Sequence, residues 1–192
     1  MPVVLYPHPT LRYPSKAVRR VDAELVRIVR EMFERMYATH GIGLAANQVD
    51  LPLRLFVINL SGQVDEGEEL VFINPVLSNP KGNEEGDEGC LSFPELFGPV
   101  KRPKQITVNA YNLKGEEIEA KVDGMLSRVI QHETDHLDGV LYTDRMSATA
   151  KATVQPILEE FELNFQSRRR TGEIPGDEAI AERLKQWEQK YC

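Results

Sequence analysis

Nine residues, Gln131-His132-Glu133-Thr134-Asp135-His136-Leu137-Asp138-Gly139, limit this chain more than any other stretch. His132 and His136 are four apart, so on an α-helix they stand one turn above the other and both imidazoles reach a single ion. Glu133 lies beside them, where a carboxylate can take a proton from a water activated by that ion. The flanks read as helix. Asp123 is a capping residue, Met125, Leu126, Val129, Ile130 and Leu137 recur at helical spacing, and Gly139 stands where a helix usually ends. Any fold of this chain must therefore carry one rigid helix with two metal ligands and bring a third ligand to it.

The choices for that third ligand are few. The spacing of a metzincin would place it at Tyr142, whose phenol is a poor substitute. Glu159 or Glu160 would serve in a thermolysin-like arrangement, which would make the chain a zinc peptidase. Of the two cysteines, Cys192 is the last residue and Cys90 lies inside Glu88-Gly89-Cys90-Leu91-Ser92. A lone buried Cys is more often a small core residue than a ligand, so the residues alone leave Cys90 and the glutamates in competition. A non-catalytic module folded around a structural ion is a third class. Glu133 argues against it, because a structural site fills all four positions from the protein and has no use for a base.

With 192 residues, 41% hydrophobic and 28% charged, the chain can bury one full core but not two. Residues 1 to 20 carry Pro2, Pro7, Pro9 and Pro14, which deny a helix and predict an extended arm. Asp22 caps a helix to about His40, with Leu25, Ile28, Val29, Met32, Phe33 and Met36 on its core face and Gly41 closing it. Residues 53–60 and 70–77 read as strands joined by a polar loop. Ile106, Val108 and Ala110, then Ile118, Ala120 and Val122, alternate as a hairpin leading into the His-bearing helix. Strands grouped before one central helix predict α+β architecture: a single domain with small antiparallel sheets around that helix. Ser147 caps a further helix that Pro156 should break or restart, and Asp177 caps a last amphipathic one with Ile180, Leu184, Trp187 and Tyr191 on one face. The net charge of -7 argues against whole-surface binding of DNA. Two cysteines with no leader pattern and no run of about 18 apolar residues predict a cytoplasmic protein outside the membrane.

Three blocks, read together, resemble the peptide deformylase family. They are Gly41-Ile42-Gly43-Leu44-Ala45-Ala46-Asn47-Gln48, Glu88-Gly89-Cys90-Leu91-Ser92, and Gln-His-Glu-x-Asp-His-Leu-x-Gly at 131–139, in the family's order. The opening Tyr6-Pro7-His8-Pro9-Thr10-Leu11-Arg12 is also similar, so the likeness covers roughly residues 1 to 146. It implies hydrolysis of the N-formyl group of N-formylmethionyl nascent peptides, releasing formate. Cys90, His132 and His136 would hold one divalent ion, Fe(II) in the native state with Zn, Ni or Co as possible substitutes. Glu133 would be the base, and the Gln48 amide with the Leu91 N–H would face the developing oxyanion. Ile42, Gly43, Leu44, Gly89 and Val129 would contact the substrate. Several members carry an Arg a few residues beyond the Cys, and the run Glu95-Leu96-Phe97-Gly98 here has none. The expected division is a catalytic domain over 1–165 and an extension over 166–192. The basic run Arg168-Arg169-Arg170 at their junction is a candidate contact with the ribosome.

Overall fold

The computed structural model describes residues 1–192. The first twenty lie along the body, with the Val4 N–H donating to the Gln48 carbonyl at 2.8 Å and the Tyr6 N–H to the Ser92 carbonyl at 2.9 Å. The prolines there do not exclude every helical turn. Pro9–Arg12 forms one 3-10 turn, and Pro9 occupies a first-turn position where its missing N–H is not needed. Helix α1 (Ala23–Ala38) starts as read, the Asp22 side chain accepting from the Leu25 N–H at 2.9 Å. Its end differs by one residue from the expectation. His40, not Gly41, takes the left-handed conformation, at φ 57°, that closes the helix. Gly41 is required for another reason: a Cβ there would stand 2.6 Å from Leu91 Cδ1.

Seven strands follow: β1 (Gly43–Ala45), β2 (Leu55–Ile58), β3 (Leu70–Lys81), β4 (Glu84–Cys90), β5 (Phe93–Arg102), β6 (Gln105–Tyr111) and β7 (Glu117–Asp123). Five form an antiparallel sheet in the order β1-β2-β3-β6-β7, while β4 and β5 pair separately as a hairpin. After β7 come α2 (Gly124–Leu137), α3 (Ala148–Arg170) and α4 (Asp177–Tyr191), giving the α+β fold that the order of patterns predicts.

Alternation along the strands explains how this sheet comes to hold a helix on each face. Leu44, Leu55, Val57 and Ile73 join the core on the α1 side. Their neighbours Ala45, Phe56, Ile58 and Phe72 point the other way, onto Val129, Ile130 and Leu137 of α2. β2 is thus buried on both faces, which is why Leu55-Phe56-Val57-Ile58 is a continuous apolar run. A third core packs Phe93, Leu96 and Val100 of β5 against Tyr142, Met146, Val154 and Leu158. The hairpin and the sheet therefore flank α2, and the His-bearing face of that helix is enclosed between them.

Several expectations need correction. Pro156 neither breaks nor restarts α3, which runs unbroken through it. Pro156 and Ala152, whose carbonyl loses its helical donor there, are both exposed, so water can take the donor's place. The same continuous helix crosses the boundary drawn at 165/166. Asp177 lies one residue inside α4, with Gly176 at the cap, and pairs instead with Arg169. Met125 does not join the core stripe of α2; it is 57% exposed. No helix is long and apolar enough to cross a membrane.

Candidate active site

From Gln131 to His136, six polar residues in succession on α2 are buried, a pattern that a helix tolerates only if each side chain is employed. α2 ends in a motif that needs Gly139: at φ 73° its N–H meets the His136 carbonyl at 3.0 Å while the Val140 N–H meets the Asp135 carbonyl at 2.9 Å. A Cβ at 139 would also collide with the Arg12 carbonyl oxygen, at 2.6 Å. The last turn of the helix, and with it His136, is thereby fixed against the N-terminal segment. Asn47 adds a further hold by donating to the His136 carbonyl.

The hairpin brings Cys90 to this face. Cys90 Sγ lies 3.2 Å from His136 Nε2, and ligand atoms of Cys90, His132 and His136 all fall within 4.8 Å of one another. One sulfur and two nitrogens at this spacing fit a divalent ion held by three protein ligands with a position left open. Glu159 and Glu160 are exposed on α3 and belong to no such group, which removes the arrangement a zinc peptidase would need.

Glu133 is 4% exposed, and its Oε2 has no hydrogen-bond partner in the protein. Burial pushes its carboxyl up to about 7, against the opposing pull of His132 and Arg102. Gly43 makes room for it, since a Cβ at that position would stand 2.5 Å from Glu133 Oε1. Gln48 rides on the 3-10 turn Ala46–Val49 that follows β1. Its Oε1 accepts from the Ala45 N–H at 2.8 Å, which leaves Nε2 directed at Ser92 Oγ, 3.2 Å away, and Cys90 Sγ, 3.4 Å away. The N–H of Leu91 makes no hydrogen bond within the protein.

Gln48, Cys90, Leu91, His132 and Glu133 line a cleft of about 920 Å³, together with Ile42, Gly43, Gly89 and Val129, and His136 is buried off its wall. Leu44 differs from the other expected substrate contacts: the whole residue is buried, its side chain in the α1-side core, and it does not line the cleft. In the run Glu95-Leu96-Phe97-Gly98, Phe97 lies against Gly89, at which a Cβ would meet the ring at 2.4 Å.

A second set of residues, not singled out from the sequence, orients the first. Glu88 Oε2 is 2.9 Å from His132 Nδ1. The same carboxylate receives Arg102 Nε at 2.6 Å, Arg102 Nη2 at 2.8 Å and Arg128 Nη1 at 2.7 Å. Burial alone would raise the Glu88 carboxyl, but the Arg102 and His132 hydrogen bonds outweigh it and hold it at about 2. Arg102 also donates to Asp135 at 2.7 Å, and Arg145 closes the network on the far side of Asp135. A carboxylate on the second nitrogen of a ligating histidine fixes the tautomer and aim of the ring. The only sequence signal was the density of charge next to motif residues: Glu88 beside Gly89-Cys90 and Asp135 between the histidines.

Comparison with known proteins agrees with this geometry. Residues 1–152 match the family model described as polypeptide deformylase. The chain is 46% identical over 189 residues to a peptide deformylase of Rhodopirellula baltica, covering 98% of this chain and 94% of that protein. It is 41% identical over 179 residues to the chloroplastic peptide deformylase 1B of Solanum lycopersicum, covering 93% of this chain and 63% of that one. The crystal structure of Arabidopsis thaliana peptide deformylase 1B with an inhibitor superposes at a TM-score of 0.83, with 38% identity, over 92% of this chain and 97% of that one.

Proposed function

The chain belongs to the peptide deformylase family and removes the formyl group from N-terminal formyl-methionine, and from that premise we propose how its own residues carry the reaction. Cys90 as thiolate, His132 and His136 would hold the metal ion. The observation that carries this reading is the convergence of their three donor atoms within 4.8 Å of one another, next to the buried Glu133 carboxylate. A divalent ion bound there supplies Lewis acidity, bringing the pKa of water from about 15.7 toward about 7.

Glu133 takes the proton of the attacking water and returns one to the departing methionyl amine. Its position supports this: Oε2 has no competing protein partner, and the carboxylate borders β1, where the substrate must lie. The Gln48 amide and the Leu91 N–H donate to the oxygen that becomes negative as the formyl carbon turns tetrahedral. β1 is the terminal strand of its sheet, so Ile42 and Gly43 offer a free edge to an extended peptide, with Gly89 opposite, while the buried Leu44 holds that edge in place from behind. Val129, with Met125 next to it on the cleft wall, supplies apolar contact for the methionine side chain.

Fe(II) is our reading for the native ion, and the mixed sulfur and nitrogen set also accepts Zn, Ni or Co. The cytoplasm is our reading for its place of action, supported by the bacterial relative; the tomato relative carries a chloroplastic label. Ribosome binding through Arg168–Arg170 has less to support it, because Arg168 pairs with Glu173 and Arg169 with Asp177, leaving Arg170 as the one cation of the run outside those pairs. The test of the whole scheme is anaerobic purification, metal analysis and formate release from a formyl-Met peptide. We expect one ion per chain and formate in step with free amine; cleavage of an internal peptide bond at a similar rate would overturn it.

A further inference from the structure

α4 lies outside the segment that matches the family model, yet one of its side chains reaches the turn that carries Gln48. Asp50 ends that turn, its N–H directed at the Ala46 and Asn47 carbonyls, and it adopts a left-handed backbone at φ 67°. Asp is one of the few residues with a Cβ that visits this conformation, and here its carboxylate is held from two sides. Thr10 donates to Oδ1 at 2.5 Å, and the Arg183 guanidinium of α4 pairs with Oδ2. Asp50 is mostly buried, 18% exposed on its side chain, and these are its only side-chain partners.

Two residues before it, Gln48 has its Oε1 tied to the Ala45 N–H, so the aim of its Nε2 follows the turn itself. We propose that Arg183 is a positioning residue for the deformylation: through its ion pair with Asp50 it fixes the turn that carries Gln48, and hence the aim of the Gln48 amide at the reacting carbonyl. The inference rests on the donor role given to Gln48 above. Its physical basis is that a hydrogen-bond donor stabilises a developing charge only when held in place before the charge appears.

The test compares Arg183→Met, Arg183→Lys, Gln48→Ala and the double variant Arg183→Met/Gln48→Ala as metal-loaded enzymes on one formyl-Met peptide, well below their melting temperatures. Loss of a whole donor costs about 100- to 1000-fold, and a misaimed one should cost less, so Arg183→Met should lower kcat about 5- to 30-fold with KM nearly unchanged and full metal content. Arg183→Lys should recover most of the loss. In the Gln48→Ala background, Arg183→Met should change kcat by less than about 2-fold, because there is no amide left to aim. Lys190→Ala removes another ion pair of α4, to Glu24, and should leave kcat unchanged. Full kcat in Arg183→Met, or the same loss with and without Gln48, would overturn the positioning role. Full kcat in Gln48→Ala would overturn the donor role first and this inference with it.

Discussion

At the scale of single residues, the site is decided by how close Glu133 is allowed to come. Glu133→Gln keeps the shape and removes the base, so it should retain one metal ion per chain and lose at least about 100-fold in kcat. Metal analysis and formate release on the same preparation check both halves; loss of the ion would mean that Glu133 is a ligand. Gly43 tests the space around it. Its backbone is outside the left-handed region, so alanine is not strained there, but the added Cβ would meet Glu133 Oε1 at 2.5 Å and Val129 Cγ1 at 2.9 Å. Gly43→Ala must therefore displace the carboxylate, and a misplacement of about 1 Å costs about 100-fold in rate. Wild-type turnover in that variant would show that Glu133 can shift without harm. The His-Glu-x-x-His spacing makes two ligands and the base legible from the sequence, because helical period alone brings them to one face. Cys90 is not legible in that way. It lies 42 residues before His132 and meets it only through pairing of the hairpin, so a likeness to known sequences was needed to choose it over Glu159 and Glu160.

At the scale of elements, period was again what could be read. α1, β6, β7, α2 and α4 each show an apolar stripe or alternation, β2 shows a short continuous apolar run, and each is present. β4 was missed because Glu84-Glu85-Gly86-Asp87-Glu88 has none of the composition of a strand. Its stability comes from its partners: Glu88 is bonded to Arg102 across the hairpin, and Arg102 reaches on to Asp135 of α2. One guanidinium thus ties β4 and β5 to the metal-bearing helix. Arg102→Met would leave Glu88 with Arg128 and Asp135 with Arg145 but remove the one cation that joins the two buried carboxylates, at a cost of up to about 3 to 5 kcal/mol in unfolding free energy. It would also loosen the hold of Glu88 on His132, and such partners are typically worth about 10- to 100-fold in metal affinity. Denaturant unfolding of the metal-free protein and a competitive metal titration separate the two effects. Unchanged values in both would mean that the network does not bind the hairpin to α2.

At the scale of the whole molecule, the two ends of the chain are bound to each other and to the site. Tyr6 donates to Glu162 of α3 at 2.8 Å and Tyr13 to Glu188 of α4 at 2.8 Å, while the Arg19 N–H meets the Tyr191 carbonyl at 2.8 Å. Ile180, Leu184 and Tyr191 are buried, and Tyr191 belongs to the same core as α1 and the sheet. Helical spacing in the sequence pointed to the packed face of α4, but nothing local in it told what that face would cover. The packing implies that residues 166–192 are part of one cooperative unit rather than an appended segment. Removing α4 by ending the chain at Gly176 should therefore destabilise the entire enzyme. Three buried side chains at about 1.5 to 3 kcal/mol each are comparable with the 5 to 15 kcal/mol that holds an ordinary domain folded. For a chain of this size such a loss corresponds to a fall of about 10 °C or more in the melting temperature. Calorimetry should show a single transition in both proteins, moved down in the shorter one. A truncated enzyme that melts where the full chain does would mean that α4 lies on the body without stabilising it, and Arg183 would then have no firm base from which to hold Asp50.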